Sequence, residues 1–138
     1  MENKKILVSA MLLLMSFTLF GCTGKPLPEG FDADEVTERA EEIVSLANNG
    51  EYDEIIAALR SDLQDAITAD QLETGWDPIY EKVGAFSEIK QVTLTATEDS
   101  STGEEYAVAL VTCAHEDGNV LYTLSFDADL ELVGLYLK

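Results

Sequence analysis

The chain has 138 residues, with 27 acidic side chains against 8 basic ones and a formal charge of −19 at neutral pH. Nucleic acid is excluded as a partner, because phosphate contacts need Lys and Arg clustered on one face and the few here are scattered among acids. Anionic lipid headgroups repel such a chain too, so attachment to a membrane has to come from something other than charge.

The N-terminus offers such a device. Lys4 and Lys5 form a short basic start, and Ile6 to Phe20 carries no charge. As a helix this run rises roughly 22 Å, at about 1.5 Å per residue, against a hydrocarbon core of about 30 Å. It is too short for a permanent span and has the proportions of an export signal. It ends in Leu19-Phe20-Gly21-Cys22, which resembles the lipobox of bacterial lipoproteins. Leu19, Gly21 and Cys22 match, while Phe20 departs from the small or β-branched residue common at its position. The resemblance implies cleavage after Gly21, a diacylglyceryl thioether on Cys22, and a protein anchored in the cell membrane and facing outside the cytoplasm. Two acyl chains are what a stable anchor needs, since one alone holds only reversibly. The expected organisation is a signal peptide at 1–21, a Pro- and Gly-rich tether at 22–30 and one domain at 31–138. Cleavage removes Glu2, Lys4 and Lys5, making the mature chain more acidic still. Cys113 is then the one free thiol, so the domain is held by packing and not by an internal disulfide.

Asp32 to Glu35 reads as a helix start, and Val36, Ala40, Ile43, Val44 and Ala47 form one apolar stripe that ends at Asn48-Asn49-Gly50. Tyr52, Ile55, Ile56, Leu59, Leu63 and Ile67 repeat the period and predict a second helix from Glu51 to Ile67, bent near Ser61. Thr68 with Gln71 predicts a capping box opening a third, whose face is Leu72, Trp76, Ile79, Tyr80 and Val83. Pro78 removes a helical donor and predicts a kink or restart at Asp77.

Beyond Gly84-Ala85-Phe86 the period becomes two. Val92, Leu94 and Ala96 alternate with threonines and predict a half-buried strand. Tyr106 to His115 is apolar on both faces, as a central strand would be. The "EDGN" at 116–119 predicts a hairpin, Val120 to Phe126 a third strand, "DADLE" at 127–131 a turn, and Leu132 to Lys138 a fourth strand. The expected fold is α+β, with three N-terminal helices packed on a curved four-stranded antiparallel meander.

This order, with "NNGEYDEIIAAL", "QLETGWDPIYEKVGAF" and "LYTLSFDADLELVGLYL", resembles the nuclear transport factor 2-like, or cystatin-like, superfamily, and within it a bacterial family of unknown function. The likeness spans about residues 31–138 and rests most on Trp76 followed by Gly84, and on Phe126 before the turn to Val133-Gly134-Leu135. It implies a cone whose sheet wraps a pocket. Because that superfamily holds enzymes, binding modules and dimerising modules, the fold assigns no activity.

Candidate chemistry is sparse. His115 is the single histidine, and its place beside Glu116 and Asp117 predicts an exposed turn residue rather than a sheltered base. Asp127, Asp129 and Glu131 space oxygen donors two apart, as a calcium loop does, but lack its glycine and distant bidentate glutamate, which favours a hairpin turn. Cys113 lies mid-strand without a partner motif and reads as a small buried hydrophobe. No cofactor motif or metal-ligand spacing is present. Trp76, Tyr80, Phe86, Tyr106, Tyr122, Phe126 and Tyr136 are either core or the wall of an apolar pocket. The preferred reading is a non-catalytic module that binds a small apolar ligand or an extracellular protein. The alternatives are a small isomerase- or dehydratase-like enzyme, and a homodimer paired through the open sheet face.

Overall fold

The computed structural model describes residues 25–138, so the signal, the lipobox and Cys22 lie outside the described residues. Helix α1 spans Ala33–Asn48, α2 Tyr52–Ala58 and α3 Ala69–Val83; strands follow as β1 Phe86–Glu98, β2 Glu105–His115, β3 Gly118–Phe126 and β4 Leu132–Leu137. All strand pairs are antiparallel, in the order β1-β2-β3-β4. This is the α+β meander anticipated from the sequence. Among the described residues no helix is long and apolar enough to cross a membrane.

Helix α1 starts where Asp32 Oδ1 accepts the N–H groups of Asp34 and Glu35, at 2.9 and 3.1 Å. Its buried positions are Val36, Ala40, Ile43, Val44 and Ala47, the stripe that the periodicity picks out. Gly50, at a φ of 71°, turns the chain into α2.

The second helix is much shorter than its apolar period predicts. It stops at Ala58, because Leu59 turns extended and bridges in parallel to Leu132, and Arg60 N–H donates to the Leu132 carbonyl at 2.9 Å. Leu63 and Ile67 still pack against the core, but from the turns that follow. Pairing with the sheet has overridden a local helical preference. In α3 the Thr68–Gln71 capping box is complete, with both bonds formed at 2.9 and 3.2 Å. No restart occurs at Asp77, and the helix runs unbroken through Pro78. Pro78 and Thr74, whose carbonyl loses its partner, both lie on the exposed face, where water can satisfy that carbonyl.

Strand β1 begins at Phe86, well before the alternation becomes visible at Val92. Register shifts between Phe86 and Glu88 and between Ile89 and Gln91 explain this, since each breaks the period of two. Across β2 and β3 the inward row is Ala107, Ala109, Val111, Cys113 and His115 with Val120, Tyr122, Leu124 and Phe126, all buried against the helices. The opposite face carries Thr93, Thr95 and Thr97, Val108 and Leu110, Thr123 and Tyr136.

Candidate functional site

The strand parity that buries Cys113 also buries the residue two positions on. His115, expected at the surface, is 7% exposed. The adjacent Glu116 and Asp117 do not pull it outward, because their backbone is tied down: Glu116 N–H donates to Ala85 O at 3.0 Å and Asp117 N–H to Val83 O at 2.7 Å. The hairpin is thereby pinned to the junction of α3 and β1, and the imidazole is enclosed between them.

Its surroundings are specific. Nδ1 lies 2.9 Å from the carbonyl of Gly84, the residue that caps α3. Tyr80 stacks on the ring at a centroid distance of 5.9 Å, and Phe86 meets it edge-on at 5.8 Å. Gly84 takes a φ of 76°, open to glycine, and an added Cβ there would come within 2.9 Å of Glu116 Oε2. Nε2 is sealed from solvent without a hydrogen-bond partner, the one such buried side-chain atom among the described residues.

The imidazole lines a half-open cleft of about 380 Å³, together with Asn48, Asn49 and Gly50 from the end of α1, Tyr52, Tyr80, and Gly84 to Phe86. That volume falls within the range of small-molecule sites. A larger groove of about 480 Å³ beside Lys82 and Lys138 contains no partnerless buried polar atom. Beneath the cleft runs a chain of hydroxyls: Tyr80 and Tyr122 are 2.8 Å apart, and Tyr122 Oη donates to Asn48 Oδ1 at 3.5 Å. Asn48 is oriented for this by its Nδ2, which donates to Val44 O at 2.9 Å. Burial, then donation to Tyr122, holds the Tyr80 hydroxyl far above the ordinary phenol range. Burial likewise pushes Tyr122 up to about 12.

The seven aromatic residues singled out in the sequence are not one wall. Tyr80 and Phe86 line the cleft, and Tyr122 lies below it, fully buried. Trp76 is core and backs the cleft through an edge contact at 5.8 Å with Tyr52. Phe126 is core. Tyr106 stands away at the far end of β2, its hydroxyl 2.8 Å from Glu104 Oε1, and Tyr136 is 61% exposed on the outer sheet face. Asn48, Tyr52, Gly84 and His115 belong to the cleft but were not expected there. The parity of β2 was the signal available for His115.

The other two candidates have structural occupations. Asp127 Oδ1 accepts the N–H groups of Asp129 and Glu131, at 3.0 and 2.9 Å, so the "DADLE" carboxylate closes its own turn. Cys113 is fully buried, and desolvation pushes its thiol up to about 11, the reverse of an activated nucleophile.

Comparison with known proteins adds two similarities. An NMR structure of a protein from Ruminococcus gnavus ATCC 29149 matches with a TM-score of 0.71 at 30% identity, over 81% of this chain and 96% of that one. No curated protein is similar enough to count as a match. The model of a protein family of unknown function, DUF3887, matches residues 40–135, which takes in both walls of the cleft, and the chain belongs to that family.

Proposed function

We propose that this is a lipid-anchored extracytoplasmic protein whose nuclear transport factor 2-like domain binds a small molecule without transforming it. The order of three helices before an antiparallel meander supports that superfamily. The lipobox residues Leu19, Gly21 and Cys22 support the anchor, and Thr23 to Gly30 the tether. The observation that carries the binding role is the composition of the cleft: aromatic rings and neutral amides surround a buried imidazole, with no carboxylate among the lining residues. A backbone carbonyl, not a carboxylate, is the partner of the His115 ring, so the imidazole is held in one tautomer without a neighbouring anion to stabilise its charged form.

Two measurements test the proposal. Fatty-acid label should enter the wild-type chain in cells and be lost in Cys22→Ser; label that persists overturns the anchor. Titration of the protein with small aromatic alcohols should give saturable amide shifts at residues 47–52, 80–86 and 115, with the compound recovered unchanged. A second reading, an enzyme with His115 as base, is favoured by the burial of that ring, and a compound whose conversion is lost in a His115 variant would establish it.

A further inference from the structure

The geometry points to a ligand of defined polarity: a small molecule with an aromatic or alicyclic frame and one O–H or N–H donor, whose hydrogen is accepted by His115 Nε2. This rests on the cleft being a binding site and adds which atom recognises what.

A carbonyl only accepts, so the 2.9 Å approach of His115 Nδ1 to Gly84 O puts the ring hydrogen on Nδ1 and leaves the neutral imidazole with its lone pair on Nε2. That acceptor is buried and unpartnered, an arrangement that costs stability unless something fills it. The remaining polar groups agree in sign. Tyr122 gives its proton to Asn48 Oδ1, so the 2.8 Å contact with Tyr80 takes the Tyr80 proton, and both hydroxyl protons are used within the protein. The backbone N–H groups at its rim are used too: Asn49 bonds Ser45 O at 3.0 Å, Gly50 bonds Ala47 O at 3.2 Å, Gly84 bonds Tyr80 O at 2.8 Å and Ala85 reaches Glu116 Oε2 at 3.4 Å. The backbone donors of the cleft are spent and its buried free atom, Nε2, is an acceptor, while the exposed Asn49 amide at the rim can serve either way. A carboxylate or phosphate would find no free backbone donor and would face an acidic molecule; a hydroxyl or amine on an apolar frame fits. Phe86, 41% exposed at the first position of β1, packs edge-on against the imidazole, so a ligand that reaches Nε2 has to share this aromatic corner with Phe86 and the Tyr80–His115 stack.

Because the chain has a single histidine, labelling histidine with ¹⁵N gives one imidazole to follow. The full chain, held in lipid nanodiscs with empty discs as reference, is titrated with benzyl alcohol, benzyl methyl ether and benzoate. The free protein should show Nδ1 protonated and Nε2 bare. Benzyl alcohol should shift the Nε2 resonance saturably to higher shielding and bind at least about tenfold more tightly than the ether, which fills the same space without a donor. The ether should leave Nε2 unmoved, and benzoate should not compete. His115→Phe should abolish the preference for the alcohol over the ether, so that the two bind within about twofold of each other. Equal affinity for alcohol and ether with Nε2 unmoved overturns the donor inference and leaves the cleft as a binding site. Saturable binding of neither overturns both. A free protein with the hydrogen on Nε2 overturns the inference without any ligand, and the wild-type spectra decide the question even if His115→Phe does not fold.

Discussion

The two ends of the sheet each bury one polar side chain and treat it differently. At the end where β3 runs into β4, Asp127 is 5% exposed, and its carboxylate takes two backbone hydrogens and faces Arg60 across 3.6 Å. Arg60 in turn holds Asp62 at 2.8 Å and Glu104 at 3.2 Å, joining the turns after α2 to the start of β2. At the opposite end His115 is as deeply buried, but half of its hydrogen-bonding capacity is unused. A satisfied buried group stabilises the fold, whereas an unsatisfied one is tolerated at a cost. The Asp127 end is therefore finished as structure, while the His115 end is left open to something else.

Removing the polar group should hurt the first end and spare the second. Asp127→Ala strands two backbone donors and should destabilise by about 3 kcal/mol, read from the shift in urea midpoint. Asp127→Asn keeps Oδ1 and should recover more than half of that. A loss for the alanine variant below about 1 kcal/mol would mean that water serves the turn equally well, and the contrast would collapse.

Gly84→Ala attacks the open end through its backbone. Its positive φ and the 2.9 Å approach to Glu116 Oε2 make the substitution strained, at about 2 kcal/mol, with the His115 imidazole displaced as well. An unchanged His115 NMR signal would show that the helix end does not position the ring.

Alkaline pH separates the ends by their tyrosines. In the folded state Tyr122 titrates near 12 and Tyr80 higher still, so above about pH 10 the unfolded chain loses these protons first. Stability should be complete below that pH and fall by about 1 kcal/mol or more by about pH 11, with their tyrosinate absorbance appearing together with unfolding. Tyr106, half-exposed beside Glu104, should ionise reversibly in the folded protein. Simultaneous ionisation of all the tyrosines without unfolding would show that the hydroxyl chain is open to water.

The smallest effect is the most diagnostic. His115→Phe exchanges one hydrogen bond for relief of an unsatisfied nitrogen and should change stability by less than about 1 kcal/mol in either direction. A loss near that of Asp127→Ala would mean that the imidazole is structural and the two ends are alike.

The frame is legible wherever local pattern and tertiary demand agree. The stripe of α1, the Thr68 capping box and the parity of β3 follow from periodicity and cap chemistry. Leu59 to Ile67 misleads because the bridge from Leu59 to Leu132 is non-local, and helical spacing cannot report it. The start of β1 is hidden by its register shifts. Within the cleft, Tyr80 and Phe86 stand out because aromatic residues attract notice, while His115 is misplaced because two charged neighbours outweigh its parity with Cys113. Asn48 and Tyr52 cannot be read at all, since they meet His115 only when the end of α1 is laid against the hairpin.

The carbonyl of Gly84 has a further consequence for how such a site changes with time. The group that sets the polarity of the imidazole belongs to the main chain, and no codon change can delete it. Substitutions along the rim can widen the cleft, narrow it or alter its shape, yet for as long as α3 ends where it does and position 115 remains histidine, the imidazole keeps the same orientation of its hydrogen.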